Sequence, residues 1–301
     1  MLAAAGAPVA NVVRAAPVQH IAVGDLSVGY RVIGPLATTA ASPAASDRGP
    51  LLLIVGSSGT MDLSAPAFVT ALAQDRRVVA FDNRGIGETD DPMGAYPFSQ
   101  LADDTAGLIN ALGHDRMDVL GWSMGGSVAI DLAVRHPDVV SRTISYAGGA
   151  GGSQAVMPTP DVIAVLMDTS GTPQQHGERL LELLFPDAYR ATHPDYMRSF
   201  PIPTEEATAE GIELQNTAIA GWAGVWSGLA GVTSPMLFVT GTEDVLTPPA
   251  NSVMLAERVP GSWLVRFAGA GHGLMYQDPD GLAETVRTFL DVTAPQVGSG
   301  S

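Results

Sequence analysis

The sequence predicts an α/β fold: a mostly parallel central sheet of about eight strands, helices flanking both faces, and a helical cap inserted late in the chain. Three observations predict it. Short continuous apolar runs recur along the chain, and most are followed by a stretch whose apolar residues fall at helical spacing. The segment from Gly148 to Thr233 breaks this rhythm, with helical pieces such as "GERLLELLF" and several Pro and Gly but no convincing strand. Finally, 46% of the 301 residues are hydrophobic, which is enough to fill the core such a fold requires.

Taken in order, the opening "MLAAAGAPVANVVRAAPVQ" is Ala-rich, broken by Pro8 and Pro17, and has no basic residue before Arg14. It is a poor intact signal peptide and reads as a flexible lead-in over residues 1–17. "HIAV" (20–23) and "LSVGYRVIG" (26–34) place β-branched residues on either side of Gly24-Asp25, the pattern of an antiparallel hairpin. The polar, Pro-punctuated "PLATTAASPAASDRGP" is then a loop. Apolar runs follow at 51–55, 77–81, 117–121, 139–147, 236–240 and 263–267. Strands buried on both faces read as such runs, and parallel strands need crossovers, which helical patterns at 65–74, 99–113, 124–136, 249–259 and 280–290 supply. The expected organisation is one α/β core, 18–147 and 234–292, with the cap at 148–233 and a linker-like tail at 293–301 ending in "GSGS".

Composition removes several functions. With 31 acidic against 15 basic residues the formal charge is −16, a field that repels nucleic acid and anionic lipid. There is no cysteine, so disulfides, thiolate metal sites and cysteine nucleophiles are excluded; a cytoplasmic and an exported protein both fit. No apolar stretch approaches the roughly 20 residues that span a bilayer, so a soluble protein is expected. HExxH, a P-loop and a Cys/His cluster are all missing, and the glycines of "GAGHG" do not match G-x-G-x-x-G. No metal or organic cofactor is expected.

The chemistry concentrates at "GWSMGG" (121–126), which fits G-x-S-x-G between an apolar strand and an amphipathic helix. Small residues there allow a sharp, strained turn that lifts the Ser123 hydroxyl above the sheet. A serine hydroxyl is a weak nucleophile and needs a base, and the base needs an orienting acid. Of the six histidines, His20, His114, His136, His176 and His193 read as surface or capping residues. His272 lies between the last strand and the last helix, at the sheet edge where ligands gather. "TGTEDVLTPP" puts Asp244, with Glu243 as competitor, after another strand at the same edge. The order Ser, Asp, His is one known arrangement of a triad. Two backbone N–H groups should form an oxyanion hole: that of Met124 and, from "GSSG" after the run 51–55, that of Ser57, with Ser58 as the alternative.

With these motifs in this order, joined by "FDNRGIGETD" after the second parallel strand, the chain resembles α/β-hydrolases from about His20 to Leu290. The resemblance implies Ser123 as nucleophile, His272 as general acid/base, Asp244 as its orienter, and Asp82 and Arg84 as braces for nearby loops. It departs from the family pattern at Val55-Gly56, where relatives often carry His-Gly. A Ser at the elbow argues against the dehalogenase and epoxide hydrolase branches, which use Asp.

The expected reaction is hydrolysis of a small-molecule carboxylic ester through an acyl-enzyme. The motifs leave room for a cofactor-free perhydrolase, a thioesterase, a lactonase, a C–C hydrolase or a receptor that has lost turnover. Met157, Met167, Phe185, Tyr189, Trp222 and Trp226 either pack the cap or line an apolar pocket; packing is the better-supported expectation.

Overall fold

The computed structural model describes residues 11–34, 49–90, 94–168, 170–201, 204–205 and 207–292. The Ala-rich opening through residue 10, the loop over 35–48 and the tail 293–301 lie outside the described residues. The last part of the expected lead-in is packed rather than free. Asn11 Oδ1 accepts the N–H groups of Val13 and Arg14, each at 3.1 Å, and caps the short helix α1 (Val12–Ala15). Val13 is fully buried, and Arg31 Nη1 donates to the carbonyls of Arg14 and Ala16 at 3.0 and 2.7 Å.

Eight strands form one sheet: β1 (Gln19–Val23), β2 (Leu26–Ile33), β3 (Leu51–Ile54), β4 (Val78–Phe81), β5 (Met117–Trp122), β6 (Val140–Tyr146), β7 (Met236–Gly241) and β8 (Trp263–Phe267). Their order is β1-β2-β4-β3-β5-β6-β7-β8. β2 pairs antiparallel with β1 and β4, and every other neighbouring pair is parallel. Every residue of β3, β4, β5 and β7 is buried, as continuous apolar runs require, whereas the edge strands β1 and β8 are partly exposed.

The pleat divides the core in two. Leu51 and Leu53 face a layer built from α1, α2 (Pro66–Leu72) and α11 (Pro279–Asp291), including Phe68, Leu72, Val286 and Phe289. Leu52 and Ile54 face the opposite layer, α3 (Ser99–Ala111) and α4 (Met124–Arg135), with Leu101, Leu108, Val128 and Leu132. Between β6 and β7 lie α5 (Pro160–Met167), α6 (Pro173–Leu184), α7 (Asp187–Thr192) and α8 (Ala209–Ala220), with no strand among the described residues. α9 (Ala250–Arg258) and α10 (Leu274–Gln277) complete the set.

The strand order positions the site. From central β3 the chain steps to β4 on one side and then to β5 on the other, so a crevice opens beyond the carboxyl ends of β3 and β5.

One core residue carries a stability cost. Asp131 on α4 is fully buried, and neither carboxylate oxygen has a hydrogen-bond partner. Burial raises its pKa to about 6, with Arg135 opposing and Asp103 adding to the shift. The native state therefore holds this proton more tightly than the unfolded chain, whose value is 3.8, and stability falls as pH rises from there through about 6. Asp131→Asn is expected to raise unfolding free energy at pH 8 by up to about 3 kcal/mol, with the gain shrinking toward pH 4. Denaturant titrations at both pH values check it; an equal effect at the two would be inconsistent with a titrating carboxylate.

Candidate active site

The turn from β5 into α4 places Ser123 at φ 58° and ψ −122°, a conformation L-residues rarely hold. Crowding around the turn explains the small residues. A Cβ on Gly121 would lie 1.9 Å from the Gly125 carbonyl oxygen, and one on Gly125 would lie 2.1 Å from that of Ile54. The Ser123 N–H donates to the Tyr146 carbonyl at 2.9 Å, which pins the strained residue to β6. Met124 is the first residue of α4, so its N–H has no acceptor within the helix.

Asp244 and His272 come together in the loops after β7 and β8. His272 Nδ1 lies 2.8 Å from Asp244 Oδ2, and the two residues are 3% and 4% exposed. Asp244 Oδ1 accepts the N–H groups of Leu246 and Thr247 at 2.9 and 2.8 Å, so the carboxylate is fixed before it meets the ring. A carboxylate accepts only, so Nδ1 carries the proton and Nε2 is left as an acceptor. Glu243 is exposed, and its backbone N–H donates to Ala270. Its side chain lines a different cavity, so the structure puts Asp244 rather than Glu243 against the imidazole.

The His272 carbonyl receives the Trp122 indole N–H at 3.1 Å and the Tyr146 hydroxyl. Burial, with the nearby Asp244 charge, keeps Tyr146 a neutral phenol by pushing its pKa well above the usual value. Ser123 and His272 line one cavity of about 910 Å³, though no hydrogen bond joins their side chains in this structure. Catalytic contacts of this kind commonly tighten only when substrate binds.

Gly56-Ser57-Ser58-Gly59 follows β3, and a Cβ on Gly56 would sit 3.3 Å from that of Ser123. Gly56, Ser57 and Gly59 line the cavity. Ser58 has φ 58°, and its N–H donates to Gln215 Oε1 at 2.6 Å; that donor is thereby committed. The Ser57 hydroxyl donates to the same oxygen at 3.2 Å.

Asp82 Oδ1 accepts from the Met61 N–H at 2.6 Å and Oδ2 from the Glu88 N–H at 2.9 Å, tying the segment after this loop to the segment after β4. Burial, reinforced by the Glu205 carboxylate, raises the Asp82 pKa against the pull of those two donors. Arg84 makes two bonds to Asp104, at 2.5 and 2.6 Å, and lies over the Tyr96 ring at 4.9 Å. Both residues touch loops, and neither lines the cavity.

The cavity wall is mostly apolar: Leu63, Trp122, Leu180, Leu184, Met197 and Phe200 line it. None of the six aromatic and methionine residues singled out above lines it. Phe185 is buried among Tyr189, Tyr196 and Tyr276, Trp222 stacks on Phe98 at 4.1 Å, and Met157 and Met167 are 67% and 75% exposed. Leucines on α6 were not distinguishable in sequence from ordinary core positions, since lining a cavity and packing a core ask for the same spacing. Gln215 was also missed. Its only signal is a lone amide in the buried stripe Gly211, Gln215, Ala218.

A family model described as alpha/beta hydrolase fold matches residues 49–279, and the chain belongs to that family; its class is that of a hydrolase. A poly(3-hydroxyalkanoate) depolymerase from Ectopseudomonas oleovorans is 28% identical over 254 residues, spanning 84% of this chain and 88% of the relative. A putative carbamate hydrolase RutD from Caulobacter sp. strain K31 is 28% identical over 256 residues, 82% of this chain and 92% of that one. Among solved structures, an enol-lactonase from Burkholderia xenovorans LB400 superposes with TM-score 0.73 at 25% identity, covering 90% of this chain and 99% of its own. No helix among the described residues is long and apolar enough to cross a membrane.

Proposed function

We propose that the protein is a serine hydrolase that cleaves carboxylic esters of neutral, apolar compounds through Ser123, His272 and Asp244. The observation that carries this reading is the pairing of a strained serine with a carboxylate-oriented imidazole on the wall of one apolar cavity. Ser123 Oγ attacks the ester carbonyl while His272 Nε2 takes its proton, and Asp244 stabilises the imidazolium that results. The N–H groups of Met124 and Ser57 receive the developing oxyanion. His272 then delivers the proton to the departing alcohol, and a water activated by the same nitrogen releases the acid and restores the serine.

Residues 148–233 act as a cap, since α6 and the segment around Phe200 supply much of the cavity wall. Among the described residues of that wall Glu178 is the one carboxylate and there is no Lys or Arg, so an anionic substrate finds no Lys or Arg counter-ion among them. The names of two relatives, a poly(3-hydroxyalkanoate) depolymerase and an enol-lactonase, support an ester as the bond broken. A carbamate is the neighbouring alternative that the third name offers.

The test is a panel of p-nitrophenyl esters from acetate to dodecanoate, run beside fluorophosphonate labelling and repeated with hydrogen peroxide and acetate. The expected result is serine labelling and a rate maximum at medium acyl length. A protein that is neither labelled nor active on any ester would sink the proposal, and peroxide-dependent turnover alone would replace it with a perhydrolase.

A further inference from the structure

The oxyanion loop is held from behind by the inserted segment. α8 meets the core along one stripe, Gly211, Gln215 and Ala218, and Trp222 just beyond its end stacks on Phe98. Contact at Gly211 is close enough that a Cβ there would lie 2.0 Å from the Gly85 carbonyl oxygen. One turn further along, Gln215 is fully buried, and its Oε1 takes both the Ser58 N–H and the Ser57 hydroxyl. Its Nε2 is buried without a partner. The amide orientation follows from the donors it meets: turning it over would set an N–H₂ against an N–H.

The arrangement is costly unless the acceptor has a task. A buried donor without a partner destabilises the fold, and so does a non-glycine residue at positive φ such as Ser58. An apolar side chain at 215 would remove the unpaired amide donor but take away the acceptor of the part-buried Ser58 N–H.

We propose that Gln215 is a positioning residue for the oxyanion hole: from the inserted helix, its amide oxygen clamps the Ser57-Ser58 turn so that the Ser57 N–H faces the ester carbonyl on Ser123. The same contact draws the Ser57 hydroxyl away from the ligand. Gln215 does not line the cavity, so its action passes through the loop. This inference rests on the acyl-transfer reading above, and it makes competence of the hole depend on how α8 is seated.

The experiment compares wild type, Gln215→Met and Gly211→Ala on p-nitrophenyl butyrate, with melting temperature as a control and a trifluoromethyl ketone as a mimic of the tetrahedral oxyanion. In both variants kcat is expected to fall about 10- to 100-fold, because misplacing a donor costs nearly as much as losing it. KM should stay within about threefold, and affinity for the ketone should drop by the same factor as kcat. Gly211→Ala covers the case in which Gln215→Met fails to fold. A folded Gln215→Met with kcat within about twofold of wild type overturns the clamp, as does a KM that rises as far as kcat falls. Wild type that resists fluorophosphonate and hydrolyses no ester overturns the acyl-transfer reading and the clamp with it; labelled, active wild type beside an unimpaired variant overturns the clamp alone.

Discussion

Ser123→Ala is expected to lose ester hydrolysis by about 10⁴- to 10⁶-fold in kcat, together with all fluorophosphonate labelling, while KM-level binding of a neutral ester persists. The fold should barely notice. Alanine keeps the Cβ, so the strain at φ 58° is unchanged, and the backbone bond to Tyr146 is untouched. Ser123→Gly should be equally inactive yet more stable by about 1 kcal/mol, since glycine occupies this region without penalty. Stopped assays on p-nitrophenyl butyrate and denaturant melts of the two variants separate these effects. Residual labelling in Ser123→Ala would mean that another side chain is the nucleophile.

Asp244→Asn should cost about 10⁴-fold in kcat near neutral pH, even though it changes a single atom. Oδ1 of Asp244 already accepts two backbone N–H groups, so the asparagine oxygen is obliged to stay there. Its N–H₂ is then driven to the place of Oδ2 and donates to His272 Nδ1. That forces the ring proton onto Nε2, where it can no longer accept from Ser123. Glu243→Gln is the control and should remain within about twofold, because its carboxylate is exposed and points elsewhere. Comparable losses in the two variants would remove Asp244 from the orienting role.

Much of the fold was legible because burial on both faces imposes a continuous apolar run. All six such runs are strands within a residue or two of the expected limits, and Gly24-Asp25 does turn β1 into β2. The direction of β2 relative to β4 was not legible, because pairing between strands distant in sequence leaves no mark on either. Positions 11–17 were misjudged for a related reason: Val13 reads as one more residue in an Ala-rich stretch until the surface it covers is known. At the candidate site, Ser123, Asp244 and His272 stand out because each sits beside glycines or at a strand end where chemistry is expected. Gln215 does not. A buried amide and a solvated one look the same in a helix, and only the loop it reaches, 157 positions away, distinguishes them.

The grip on the His272 carbonyl by Trp122 and Tyr146 has a further consequence. Those side chains come from β5 and β6, the strands that also carry and pin the serine, so imidazole and hydroxyl are mounted on one rigid block despite the long stretch of chain between them. The loop bearing His272 cannot loosen early on heating without breaking bonds to the sheet's interior. Inactivation should therefore track the near-ultraviolet circular dichroism of the buried aromatics and share its midpoint, instead of preceding it as it would if His272 rode on an untethered loop.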